Sequence, residues 1–179
     1  MKMLSIVLAI AALISFSSAL GADDVKPGLL GEYYDMEGAV EDFPTIPAEK
    51  KPTIKKIDKQ INIESVDENF NGTNLGQHFY IRWTGQVKIE KAGKYKFYVE
   101  SDDGSRLFID GKQVVNNPGL HGMEKKDGEV ELTAGIHDLK LEFFQNEGGA
   151  GCKLGWSTEG VAEEIVPEKA LWHKADAEK

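Results

Sequence analysis

Cysteine is nearly absent from this 179-residue chain, where Cys152 stands alone. No intramolecular disulfide can form, so stability must come from a packed core. Cys152 lies in Cys152-Lys153-Leu154-Gly155-Trp156 and shares one strand face with Leu154 and Trp156. That placement makes it a core thiol, not a nucleophile. Bases are also in deficit, with 21 Lys and Arg against 30 Asp and Glu. Nucleic acid is a poor partner for such a chain, because phosphate binding needs a net of Lys and Arg contacts. The one basic block (Lys50, Lys51, Lys55, Lys56, Lys59) is interrupted by Pro52 and reads as a solvated, partly extended segment. The histidines at 78, 121, 137 and 173 fall in no metal-binding spacing. A Gly-x-Ser-x-Gly elbow, a phosphate loop and a Cys–His pairing are missing too, so no enzyme is expected. Two carboxylates could run glycoside hydrolysis, but no spacing singles out a pair.

Long apolar runs are missing after the N-terminus, and no later stretch could span a bilayer, which takes roughly 20 residues. Residues 1–21 differ from the rest. Lys2 opens them, an apolar run from Leu4 to Phe16 follows, and Ser17, Ser18, Ala19, Leu20 and Gly21 close them with small residues. This is the pattern of a secretory signal peptide cut after Ala19 or Gly21, with an uncleaved anchor as the alternative. No cysteine stands near that point to take a lipid. The processed chain would carry 20 bases, 30 acids and a formal charge of −10. It is expected outside the inner membrane: secreted, periplasmic or bound to the cell surface.

What is present is alternation with period two. Phe79, Ile81 and Trp83 share one face, as do Val87 and Ile89, then Tyr95, Phe97 and Val99, then Leu107 and Ile109. Asp110-Gly111 is a two-residue hairpin signal, since both central residues of that turn need positive φ. Gln113 to Val115 returns as a short strand, Asn116 to Asp127 reads as a loop, and Val130 and Leu132 mark the next strand. His137, Leu139, Leu141 and Phe143 line a longer one, in which His137 reads as a satisfied core histidine. Gln145 to Gly151 is a Gly-rich loop before the strand of Cys152 to Trp156. Residues 28–34 suit an N-terminal strand, 35–78 read as an irregular crossover with a loop at 69–76, and 173–179 as a charged, frayed tail. Short strands with frequent turns predict an all-β sandwich or barrel.

The loop Ser101-Asp102-Asp103-Gly104-Ser105 is the most informative surface feature. From its residues it reads first as a polar hairpin turn, because Asp and Gly are favoured there. Adjacent carboxylates repel each other, however, and a hard cation would offset that. Calcium takes about 6–8 oxygen ligands. Successive side chains diverge across a trans peptide, so both carboxylates could grip one ion only from an unusual backbone such as a cis peptide.

Arg82-Trp83-Thr84-Gly85, Gly93-Lys94-Tyr95-Lys96-Phe97 and Ser101 through Gly111 stand in a characteristic order. Val114, His121, Leu132, Gly135-Ile136-His137, Gly148-Gly149-Ala150 and Leu154-Gly155-Trp156 continue it, and Gly28 to Tyr34 opens it. Over roughly residues 28–172 the set resembles the protective-antigen fourteen-kilodalton (PA-fourteen) domain. The resemblance implies a jelly-roll-like antiparallel β-sandwich or barrel, of a family found in adhesins, glycosidases and toxins. In its sugar-binding members an Asp-cis-Asp pair holds calcium, and the calcium takes vicinal sugar hydroxyls. Asp102 and Asp103 match that pair. A later loop supplies an asparagine and carbonyls, for which Asn146 is the candidate and Glu147 the second. The chain is thus expected to be a non-catalytic glycan-binding module using Ca2+ on Asp102, Asp103 and Asn146. The alternative is a structural or protein-interaction domain.

Overall fold

The computed structural model describes residues 25–178. The expected signal peptide lies outside them. Among the described residues no helix is long and apolar enough to cross a membrane.

Two antiparallel sheets face each other. In chain order the strands are β1 (Val25–Pro27), β2 (Leu29–Asp35), β3 (Ile54–Asp58), β4 (Asn62–Val66), β5 (Phe79–Ile89), β6 (Gly93–Asp102) and β7 (Ser105–Ile109). They continue as β8 (Lys112–Asn117), β9 (Glu124–Leu132), β10 (Gly135–Gln145), β11 (Ala150–Thr158), β12 (Val161–Ile165) and β13 (Leu171–Lys174). The larger sheet runs β1-β13-β5-β10-β7-β8, with β2 laid between β5 and β3. The smaller runs β12-β11-β6-β9, with β4 also on β11. The fold is the expected all-β sandwich.

The alternation read from the sequence is what fills it. Ile81, Trp83 and Val87 of β5, and Leu139, Leu141 and Phe143 of β10, turn inward from the larger sheet. Phe97 and Val99 of β6, and Cys152, Leu154 and Trp156 of β11, meet them from the smaller. Burial pushes the Cys152 thiol pKa far up, which suits an inert core residue. The outer face of the larger sheet is covered as well. Tyr34, Tyr80 and Phe144 form a second cluster with Val40, packed by Met36, Phe43 and Ile46. The Pro-containing crossover therefore wraps that face, and Phe143 and Phe144 are both fully buried although they point opposite ways.

Several expectations are corrected at the edges. The loop expected at 116–127 shrinks to 118–123, because β8 runs on through Asn117 and β9 starts at Glu124. β9 pairs with β6 alone, and the exposure of most of its side chains hides its period. The region 35–78 contains β3 and β4, whose lysines and exposed polar residues obscure alternation. The sheet extends beyond 28–172 at both ends, since Val25 pairs with Lys174 and Lys26 with His173. His173 belongs to that strand and is buried, its Nδ1 lying 3.1 Å from the Gly28 carbonyl.

Candidate functional site

Two crossovers between the sheets come side by side at one end of the sandwich. β6 ends at Asp102 in the smaller sheet, and β7 begins at Ser105 in the larger. β10 ends at Gln145 in the larger sheet, and β11 begins at Ala150 in the smaller. Gly151 lies opposite Asp102, and Phe143 opposite Ser105. Register therefore fixes the Asp102-Asp103-Gly104 turn against the 146–149 loop.

Below the turn, Ser101 Oγ and Ser105 Oγ share a 2.7 Å hydrogen bond, and both residues are fully buried. Asn117 Nδ2 donates to Ser101 Oγ and to the Glu124 carbonyl. Gly104 admits no side chain, because a Cβ there would run into the Phe144 ring.

The Asp102–Asp103 peptide is cis. The two carboxylates differ in employment. Asp103 is buried, and its Oδ1 accepts the His121 N–H at 3.0 Å while its Oδ2 accepts the Asn146 N–H at 2.9 Å. One carboxylate thus ties the 118–123 loop to the 146–149 loop. Asp102 is half-buried and makes no hydrogen bond through its side chain within the described residues. Burial raises its pKa above the ordinary carboxylate value; Asp103's charge adds to this, and His121 opposes it.

Gln145 was not anticipated from the sequence. It is fully buried, and its Oε1 accepts the Asp103 N–H at 2.9 Å. Its Nε2 donates to the carbonyls of Glu147 and Gly149, both at 3.0 Å. The available signal is its position: Gln145 continues the inward-facing series of His137, Leu139, Leu141 and Phe143.

Asn146 stands beside the pair through its backbone. Its side-chain Oδ1 accepts the Val40 N–H at 3.0 Å, and its carbonyl accepts the His78 N–H at 2.8 Å. Glu147 is mostly exposed, with its carboxylate 3.4 Å from His78 Nε2. That histidine nitrogen is buried without a hydrogen bond, and the Glu147 carboxylate is the polar group beside it.

Among the described residues no three His, Cys, Asp or Glu side chains cluster to hold a metal. The donor set that exists is two carboxylates, one of them free of hydrogen bonds. Each Asp103 oxygen uses one lone pair on a backbone N–H and keeps another. This oxygen-only chemistry fits a hard cation such as calcium, whose remaining ligands would be carbonyl, water or ligand oxygens. Gly149 packs closely here: a Cβ there would lie 2.6 Å from Ser65 Oγ and 3.4 Å from Asp102 Oδ2, so a side chain at 149 would crowd both. A separate hollow of about 220 Å³ lies at the opposite end, between Tyr95, Trp156 and Pro167. Glu164, which lines it, is bonded to the Trp156 indole, and the hollow has no link to the Asp pair.

The family profile of the PA14 domain matches residues 25–170. The anti-sigma-I factor RsgI3 of Acetivibrio thermocellus is 31% identical over 147 residues, covering 81% of this chain and 21% of that protein. The chain thus spans about a fifth of this relative's length. A solved PA14 sugar-binding domain from an RTX adhesin superposes with a TM-score of 0.69 at 24% identity, over 82% of this chain and 98% of that one. The PA14 domain of the MpAFP antifreeze protein gives 0.74 at 18% identity, over 84% and 93%. These two likenesses speak to the fold.

Proposed function

The chain belongs to the PA14 domain family, and from that premise we propose that it is an exported, non-catalytic carbohydrate-binding module. Asp102 and Asp103 would hold a calcium ion, and the ion would supply a positive centre for two neighbouring sugar hydroxyls. The observation that carries this reading is the Asp102 carboxylate. It is partly desolvated, next to a second carboxylate, and without a hydrogen bond in the fold. A fold gains nothing from that arrangement by itself, whereas a bound cation would offset both penalties. The chain's own residues orient the site. Gln145 holds the Asp103 backbone, Asp103 holds the flanking loops, and Asn146 is fixed by the Val40 and His78 backbones. Asn146 Oδ1 has one lone pair left and is kept as a candidate ligand, while Glu147 is kept as a contact at the rim. The solved sugar-binding neighbour supports the reading, and the anti-sigma relative fits a module that is one part of a larger protein.

One observation favours a second reading, a structural domain without sugar binding: both Asp103 carboxylate oxygens are engaged in stapling two loops together. A glycan array probed with calcium and with chelator, beside melting curves under both conditions, separates the two. The proposal expects calcium-dependent retention on at least one glycan. A calcium-dependent rise in Tm with no glycan retained would favour the structural reading.

A further inference from the structure

We infer that the polar hollow beside the Asp pair is a second saccharide subsite, one that accepts neutral or amino-bearing sugar units and rejects carboxylated and sulfated ones. This rests on the reading of Asp102 and Asp103 as a sugar site. The hollow measures about 560 Å³ and is lined by Asp67, Glu68, Asn69, Asn74, Gln77 and Gly148, among others. That volume lies within the about 300–1,000 Å³ range of small-molecule sites.

Continuity with the Asp pair comes from proximity around Gly149. The point a Gly149 Cβ would occupy is 2.6 Å from Ser65 Oγ, 3.4 Å from Asp102 Oδ2 and 3.9 Å from Asp67 Oδ1. Asp67 lines the hollow and Asp102 belongs to the pair, so the two carboxylates flank the same glycine, with the small Ser65 hydroxyl beside them. A sugar held at Asp102 would project its next unit across Gly148 and Gly149.

The walls have the chemistry to receive it. The amides of Asn69, Asn74 and Gln77 make no hydrogen bond within the described residues. Each offers donors and an acceptor, which suits hydroxyls that are both. The wall is also built to stay in place. Asn69, Asn71, Asn74 and His78 all have positive φ, four of the five such non-glycine residues described. Phe70 anchors them, fully buried and stacked on Phe143 at 5.3 Å. Asn71 is pinned by Lys56 on its carbonyl at 2.6 Å and by its own amide on Asp58 at 2.9 Å. Uncommon backbone conformations held by their surroundings cluster at binding clamps.

Charge sets the selectivity. Asp67 and Glu68 line the hollow, and no Lys or Arg lines it. An ion on Asp102 and Asp103 would leave these two acids unmatched, which penalises an anionic sugar.

The test is calorimetric titration of the protein in calcium with methyl glycosides of glucose, galactose, mannose and fucose. Neutral disaccharides, di-galacturonate and the glucosamine dimer follow. The inference expects a sugar that binds as monosaccharide to gain about tenfold as a neutral disaccharide. Asn74→Gly with Gln77→Ala, which keeps the positive φ at 74 and removes two amides, abolishes that gain and leaves monosaccharide affinity unchanged. Asp67→Asn with Glu68→Gln improves di-galacturonate binding. Monosaccharide binding with no disaccharide gain, or a gain the amide variant retains, overturns the subsite alone. Absence of any calcium-dependent saccharide binding overturns the Asp-pair reading and the subsite together.

Discussion

Asp102 and Asp103 are chemically identical neighbours that the fold uses differently, and substitution should separate them. Asp103 accepts the N–H groups of His121 and Asn146, so Asp103→Ala leaves two donors without their partner. The cost is about 1–3 kcal/mol for a buried unpaired group. Asp102 has no such duty, and its charge is disfavoured by burial and by Asp103. Asp102→Ala is therefore expected to leave the chelator-treated Tm unchanged or raised, while Asp103→Ala lowers it; both lose glycan retention. Equal Tm losses would contradict this division. Gly104 supplies a second case. Gly104→Ala drives a methyl into the buried Phe144 ring, and overpacking of this kind costs about 1–3 kcal/mol. Denaturant unfolding should report that loss, and an unchanged midpoint would mean the turn can shift away.

At the scale of elements, the turn between β7 and β8 shows how a local signal becomes tertiary. Asp110 and Gly111 have φ of 50° and 75°, as an Asp-Gly hairpin requires. The same Asp110 reaches β10, where its Oδ1 accepts the Asp138 N–H at 2.9 Å and its Oδ2 meets His137 Nδ1 at 2.6 Å. His137 Nε2 lies 2.9 Å from the Thr133 carbonyl. Both ring nitrogens face acceptors, and only the imidazolium can donate to both. Burial pulls the His137 pKa down, but the Asp110 and Thr133 bonds outweigh it and the net shift is upward. A raised folded pKa means the stabilisation is complete below the ordinary value near 6.5 and is lost as pH rises through the folded value. Tm is expected to fall across that window in the wild type, and His137→Gln should flatten the profile. Identical slopes would mean that the His137–Asp110 pair contributes nothing to the pH dependence.

The strands most legible in the sequence were those packed on both sides by other strands. β5, β6, β10 and β11 must turn one face to the core, so their apolar residues recur at every second position. β3, β4 and β12 lie at margins, and the mostly exposed run Val161-Ala162-Glu163-Glu164 carries no period to read. The Asp pair is conspicuous in one dimension as two consecutive carboxylates before a glycine, but its residues alone read as a turn, and only the order of the motifs around it makes it a candidate site. Gln145 and the Val40 contact were not, because their roles arise only when residues 42 and 106 positions away are folded against them.

For the whole molecule, the site depends on parts of the chain far from it in sequence. The crossover around Val40, Phe43 and Ile46 covers the outer sheet face and fixes Asn146. Gln145 and Asp103 join the two crossovers and the 118–123 loop. The sandwich is a scaffold whose one end gathers four separate loops, and the reading as a glycan module rests on what those loops hold.

If Asp102 and Asp103 form a calcium site, calorimetric titration of calcium into the metal-stripped protein will show it. One calcium is expected to bind per chain, and binding should be lost in Asp102→Ala under conditions where that variant remains folded. No heat of binding in the wild type, or an undiminished calcium isotherm in Asp102→Ala, would contradict a calcium site there.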